Sequence, residues 1–184
     1  MIRLYYWLSL LLCPLGFAAD KTYSIAPEST ATFLAVGKPS LLKIRGEGAH
    51  PKGSLTTKDN LVSGEFTVKL DDFVTGISKR DSHMKEHYLE TSKTGNANAV
   101  FSLKNLDANC VNTAKKCDFV GELSLHGQTK PIKDGKMNTE LKDGNIRITA
   151  EFPLSITEFG IQVPTFAGVT VANEVSVSVD LKLQ

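Results

Sequence analysis

Charge of one sign is what this sequence most plainly lacks. Its 184 residues carry 21 Lys plus Arg against 20 Asp plus Glu, with no run of five like charges. The basic stripe of a nucleic-acid binder is therefore missing, and the near-neutral balance disfavours adhesion to an acidic membrane surface. Past the N-terminus no apolar run approaches the roughly 20 residues that cross a bilayer, so no stable membrane span is expected. The G-x-S-x-G, P-loop, G-x-G-x-x-G and C-x-x-C patterns are all absent, which leaves serine-hydrolase, nucleotide-binding and thioredoxin-like readings without support. Internal repeats, linkers and shifts in composition are missing too, and one core is the expectation. With 41% hydrophobic and 22% charged residues, 14 Gly and 7 Pro, the composition is globular rather than disordered, coiled or collagen-like.

Residues 1–18 read as a secretory signal peptide: Arg3, an apolar stretch from Leu4 to Leu12 broken only by Ser9, then Pro14, Gly16 and Ala18. Cleavage after Ala18 puts small Gly16 at the third position back, whereas cleavage after Ala19 would put bulky Phe17 there. Leu12 before Cys13 is not the small residue that a lipid-anchored precursor has. The mature chain, residues 19–184, is thus expected to be a single soluble domain, periplasmic or secreted. It keeps two of the three cysteines, Cys110 and Cys117, on either side of the polar stretch Val111 to Lys116. In an exported chain such a pair reads as a disulfide clasping a hairpin, about 2.5 kcal/mol by loop closure, with two free thiols as the alternative.

Period-two alternation dominates the rest. Val175, Val177, Val179, Leu181 and Leu183 share one parity and Ser176, Ser178, Asp180 and Lys182 the other, so this strand has a dry and a wet face. Ile146, Ile148, Ala150, Phe152 and Leu154 repeat the pattern, as do Phe66, Val68 and Leu70, Phe101 with Leu103, and Phe119 with Leu123 and Leu125. Further strands are expected over 22–26, 31–36, 42–48 and 131–141. About eight or nine strands follow, separated by turn signals such as Lys133-Asp134-Gly135 and Asp143-Gly144-Asn145. Only 78–89 reads as a helix, with Ser78 as N-cap, Asp81 as its acidic partner, and Met84 and Tyr88 on one face. The expected fold is all-β: one antiparallel, lipocalin-like barrel with one short helix, for which a filled sandwich is the alternative.

Two segments carry a family resemblance. Thr75-Gly76-Ile77-Ser78-Lys79-Arg80-Asp81-Ser82-His83-Met84, then Tyr88-Leu89 and Ala99-Val100-Phe101, is similar to a Thr-Gly, Arg-Asp-x-His-Leu and Pro-x-Ile-x-Phe pattern. Gly121 to Ile132 resembles a Gly-x-Leu-Thr-Ile-x-Gly-Val-Thr-Lys-Pro-Val strand and turn, and the ending from Phe159 to Leu183 is similar as well. These are the signatures of the YceI-like family. The resemblance implies an exported barrel that holds a long apolar molecule, an isoprenoid or other lipid chain, in an internal tunnel, for transport, storage or sequestration. It implies no catalytic activity and no cofactor, and it leaves monomer and homodimer both open. Departures stand at Ala26-Pro27-Glu28-Ser29, where the family has Asp-x-x-His-Ser, at Gly95-Asn96-Ala97-Asn98, where a Pro is usual, and around Gly37-Lys38-Pro39, so the tunnel mouth is expected to differ.

The inward parities nominate Phe33, Phe66, Val68, Phe101, Leu103, Phe119, Leu123, Ile148, Phe152, Val177 and Val179 as tunnel lining. From sequence the same burial is equally that of a packed core, which would suit a structural or partner-binding barrel. Arg80, Asp81 and His83 are the candidates for the mouth and for a ligand's head group, Asp81 also suiting the helix dipole, with a local structural pairing of Arg80 and Asp81 as the favoured alternative. His83-Met84-Lys85-Glu86-His87 matches the H-x-x-E-H pattern of inverted zinc peptidases, so a zinc-dependent hydrolase is the enzymatic alternative. The resemblance accounts for His83 without metal, and no metal is assigned. His126, before Gly127 at a strand end, reads as a turn hydrogen-bonder.

Overall fold

The computed structural model describes residues 20–38, 42–166 and 169–184. The signal-peptide segment 1–18 and the Pro39 part of the departure at the mouth lie outside the described residues. The hydrogen-bonded order of the sheet is β1 (Lys21–Ser24), β4 (Lys52–Lys58), β5 (Leu61–Lys69), β6 (Asn98–Asp107), β7 (Lys116–Leu125), β8 (Gln128–Lys142), β9 (Asn145–Ser155), β11 (Val169–Leu183), β2 (Thr30–Lys38) and β3 (Lys43–Ala49). A two-residue strand, β10 (Thr165–Phe166), pairs with β11. Every pairing is antiparallel. The β1 end of this order is tied back to β11: Ser24 and Gln184 exchange N–H···O bonds of 2.8 and 3.0 Å, and Ala26 N–H donates to Lys182 O at 2.8 Å. The sheet is thereby curled into a barrel.

Ten strands on one path, and not eight or nine, come mainly from β4. Its sequence, Lys-Gly-Ser-Leu-Thr-Thr-Lys, has Leu55 as its sole large apolar residue, too little to show a parity. β8 takes in the strand expected over 131–141 and runs unbroken through Lys133-Asp134-Gly135, the turn signal that falls inside it. Phe119 pairs with Gly135 and Gly121 with Ile132, so Val120 alone faces Lys133 and Asp134. The Asp-Gly signal marks a bulge with an extra residue on one strand, not a chain reversal. At Asp143-Gly144 the same dipeptide does make a two-residue hairpin, both residues at positive φ, as do Asp59-Asn60 and His126-Gly127.

The helical stretch begins where expected and is built differently. α1 (Ser78–His83) runs into a π-turn over Met84–Tyr88, and the N-cap is Ile77, with no side-chain cap. Ser78 is thus the first helical residue, and Asp81 turns to Thr75, accepting its N–H at 2.8 Å and its hydroxyl proton. A second short helix, α2 (Asn109–Asn112), and a 3-10 turn at Ile156–Phe159 carry no periodic signal, and Leu70, expected to continue the strand of Phe66 and Val68, opens a 3-10 turn over Leu70–Asp72 instead. Cys110 of α2 and Cys117 of β7 form a disulfide across the β6–β7 connection. The intervening stretch is less loop-like than it reads, because Val111 is fully buried.

α1 and α2 stand at opposite ends of β6. At the α2 end the interior is filled by Tyr23, Leu55, Val62, Leu106 and Val111, all buried. Tyr23 Oη donates to Asn112 Oδ1 at 3.4 Å and Thr139 Oγ1 to the Cys110 carbonyl at 2.6 Å, which fixes α2 on the barrel. The α1 end is hollow.

Candidate functional site

Inward-facing apolar residues from β2, β5, β6, β7, β9 and β11 surround a cavity of about 550 Å³, in the size range of ligand pockets. All eleven residues singled out from parity border it: Phe33, Phe66, Val68, Phe101, Leu103, Phe119, Leu123, Ile148, Phe152, Val177 and Val179. None of the five residues that fill the α2 end does.

Lining and core prove to be one set of side chains at the Phe cluster. The Phe101 centroid lies 5.8 Å from those of Phe119 and Phe152 and 6.3 Å from that of Phe66, and Phe119 lies 6.3 Å from Phe152. These rings pack on one another, edge-to-face or offset, and present their remaining surface to the cavity. Glycines make that possible. A Cβ at Gly121 would stand 2.3 Å from the Phe101 ring, one at Gly135 2.4 Å from Phe119, and one at Gly46 2.0 Å from Phe33. Each ring lies in the space a neighbouring strand's side chain would take, against the wall, which leaves the centre open.

Polarity is confined to one end. Apart from Thr75, Lys79, Arg80, His83 and Tyr88 the lining is apolar, and these five come from one stretch around α1. Arg80 is aimed by Thr75: its Nε donates to Thr75 Oγ1 at 2.7 Å and its Nη2 to the Thr75 carbonyl at 2.6 Å. Thr75 in turn donates to Asp81, so Asp81 positions Arg80 through Thr75 and does not itself border the cavity. Met84, Tyr88 and Leu89 line it from the helical stretch. Phe73, Ile77, Ile156, Ile161 and Pro164 also border it and were missed from sequence. They sit in turns and irregular segments, where apolar residues show no period; the shared face of Met84 and Tyr88 was the one available signal.

The His83 and His87 rings stand edge to face with centroids 4.7 Å apart. Among the described residues no group of three or more His, Cys, Asp or Glu side chains is placed to hold a metal ion, so the zinc alternative lacks a third ligand there. His126 sits away from the lining. Its Nδ1 is 3.0 Å from the Phe159 carbonyl and its Nε2 is 3.1 Å from Glu90 Oε2. Glu90 also accepts from Lys93 at 2.5 Å. The Lys93 bond outweighs the opposing effect of burial and, with a lesser contribution from the His126 bond, holds the Glu90 carboxyl below the ordinary carboxylate range. This chain fastens the segment after the helical stretch to the β7–β8 turn. At the departure near the start, Ser29 is fully buried and accepts from Lys182 N–H at 2.9 Å, and it does not reach the cavity. Asn96, in the second departure, is likewise buried and off the cavity.

A single antiparallel sheet curled around an apolar cavity with one polar end defines the class of small β-barrels with an internal pocket. A model of the YceI-like domain matches residues 23–183, and the chain belongs to the YceI-like family. Solved structures share the fold. A polyisoprenoid binding domain from Saccharophagus degradans, implicated in plant cell wall breakdown, superposes with a TM-score of 0.66 at 17% identity, covering 88% of this chain and 97% of that one. BcnA of Burkholderia cenocepacia gives 0.67 at 12%, covering 84% and 95%. The YCEI protein of Campylobacter jejuni gives 0.54 at 15%, covering 77% and 86%. Among curated protein sequences none matches this chain. No helix of the described residues is long and apolar enough to cross a membrane.

Proposed function

We propose that this protein is a non-enzymatic carrier that encloses a long apolar chain, an isoprenoid or other lipid, for transport, storage or sequestration. The observation that carries this reading is the cavity of about 550 Å³ whose lining is apolar except around α1. A chain lying against Phe101, Phe119 and Phe152 removes its own surface and theirs from water, at roughly 25 cal/mol per Å² of apolar area. The polar end of the ligand then sits by Arg80 and His83. The Saccharophagus degradans domain, described as polyisoprenoid binding, supports an isoprenoid as the first ligand to test. Residues 1–18 act as the signal peptide and the mature protein works in the periplasm or outside the cell, consistent with the Cys110–Cys117 disulfide.

Native mass spectrometry and organic extraction of protein purified from its own compartment test the proposal. A co-purifying lipid, or uptake of a prenyl or fatty chain by stripped protein, is expected. Protein that neither carries nor takes up such a chain overturns it.

A further inference from the structure

A water-insoluble ligand enters or leaves this cavity across its rim, and the rim has a composition of its own. Leu42 and Ile77 border the cavity and yet are 38% and 52% exposed, which places both at the mouth. Beside them the fully charged side chains of the lining are Lys79 and Arg80, and no carboxylate lines the cavity. Of the nearby acids, Asp81 is taken up by Thr75 and Glu86 lies off the cavity. Among the described residues neither Lys79 nor Arg80 forms an ion pair.

Although the chain as a whole is near neutral, the local geometry points to a docking surface: the mouth sits on an anionic lipid bilayer, with Leu42 and Ile77 entering the interface and Lys79 and Arg80 over the phosphates. Exposed apolar side chains flanked by cations have the chemistry of a peripheral membrane contact. Opposite charge at the rim favours the bilayer over a neutral apolar partner. Seated this way, the apolar lining continues into the membrane interior, and a lipid chain crosses without being wetted. This step rests on the lipid-carrier reading for its purpose, but its geometry can be tested alone.

The test is co-sedimentation of the full mature protein with vesicles of phosphatidylcholine alone and of phosphatidylcholine mixed with phosphatidylglycerol. Binding to the mixed vesicles only is expected, weakening with salt. Lys79→Glu and Ile77→Asp should each reduce it, roughly fivefold for each cation lost. Leu61→Asp, an exposed apolar residue off the cavity at the β4–β5 turn, should leave it unchanged. No binding to either vesicle, equal binding to both, or equal losses in Leu61→Asp and Ile77→Asp overturns the inference. A dimer in solution that Ile77→Asp splits also overturns it, because the rim is then a contact between copies. Organic extraction of the same samples keeps the two readings apart. Protein that binds mixed vesicles but never holds lipid refutes the carrier and leaves the docking surface standing.

Discussion

The ring of Phe119 lies over Gly135, its cross-strand partner, so closely that a Cβ there would fall 2.4 Å from two ring carbons. Phe119 is itself buried between Phe101 and Phe152 and has no free direction in which to retreat except the cavity. Gly135→Ala should therefore cost about 1–3 kcal/mol, the range for overpacking, and reduce the lipid the protein can hold. Urea unfolding checks the first and extraction the second. In a Phe119→Ala background the same change should cost much less, and a double-mutant cycle reads that coupling.

Phe101 separates a wall from a filled core. It touches three other rings and also faces the cavity. Phe101→Ala in stripped protein should lose less than the roughly 3–5 kcal/mol of a ring packed on all sides. A loss in that full range, measured by urea unfolding, would mean that the cavity is closed in solution.

Phe152→Asp should abolish lipid retention, since an unpaired carboxylate would face the apolar chain. Retention is measured by extraction beside a wild-type control. Near-ultraviolet circular dichroism shows whether the variant keeps its packing.

Glu90 gives a pH dependence of known sign. Its carboxyl is held below the ordinary carboxylate range, first by Lys93 and then by His126, so its contribution is present above the unfolded pKa and lost as pH falls through the folded one. The Tm advantage of wild type over Glu90→Gln should be steady near neutrality and vanish in the acid range below the ordinary carboxylate pKa. An advantage that grows on acidification contradicts the assignment.

Reduction of Cys110–Cys117 should raise the intact mass by two hydrogens and lower stability by about 2.5 kcal/mol, because the ring it closes is short. Thiol labelling without prior reduction, in protein matured under oxidising conditions, should find neither cysteine.

Period-two alternation made the barrel walls legible, since every side chain of one parity had to turn inward. The eleven nominated residues share the cavity because they share that parity. β4 was invisible because Leu55 alone cannot define an alternation. Lys133-Asp134-Gly135 lies inside an expected strand and is ambiguous as a turn signal, because a bulge and a reversal demand the same residue chemistry and only the pairing partner decides between them. The division into hollow and filled ends could not be read at all. Phe101 and Val62 both belong to apolar strand faces, and whether the next atom inward is a neighbour or a space depends on all the strands together. The glycines under the rings are not legible as wall elements for the same reason: Gly46 acquires its meaning from Phe33, on another strand.

The bonds between Ser24 and Gln184 have a consequence for the order of folding. Hairpins with two-residue turns, as at Asp59-Asn60 and Asp143-Gly144, can form as soon as their own residues are available. Joining β1 to the end of β11 requires nearly the whole described chain, a contact of the longest sequence separation and therefore the slowest class. Until that closure forms, β1 is unmatched on that side. In that interval the apolar parity of the strands faces water around an unclosed sheet, and the unclosed barrel is the form most exposed to aggregation.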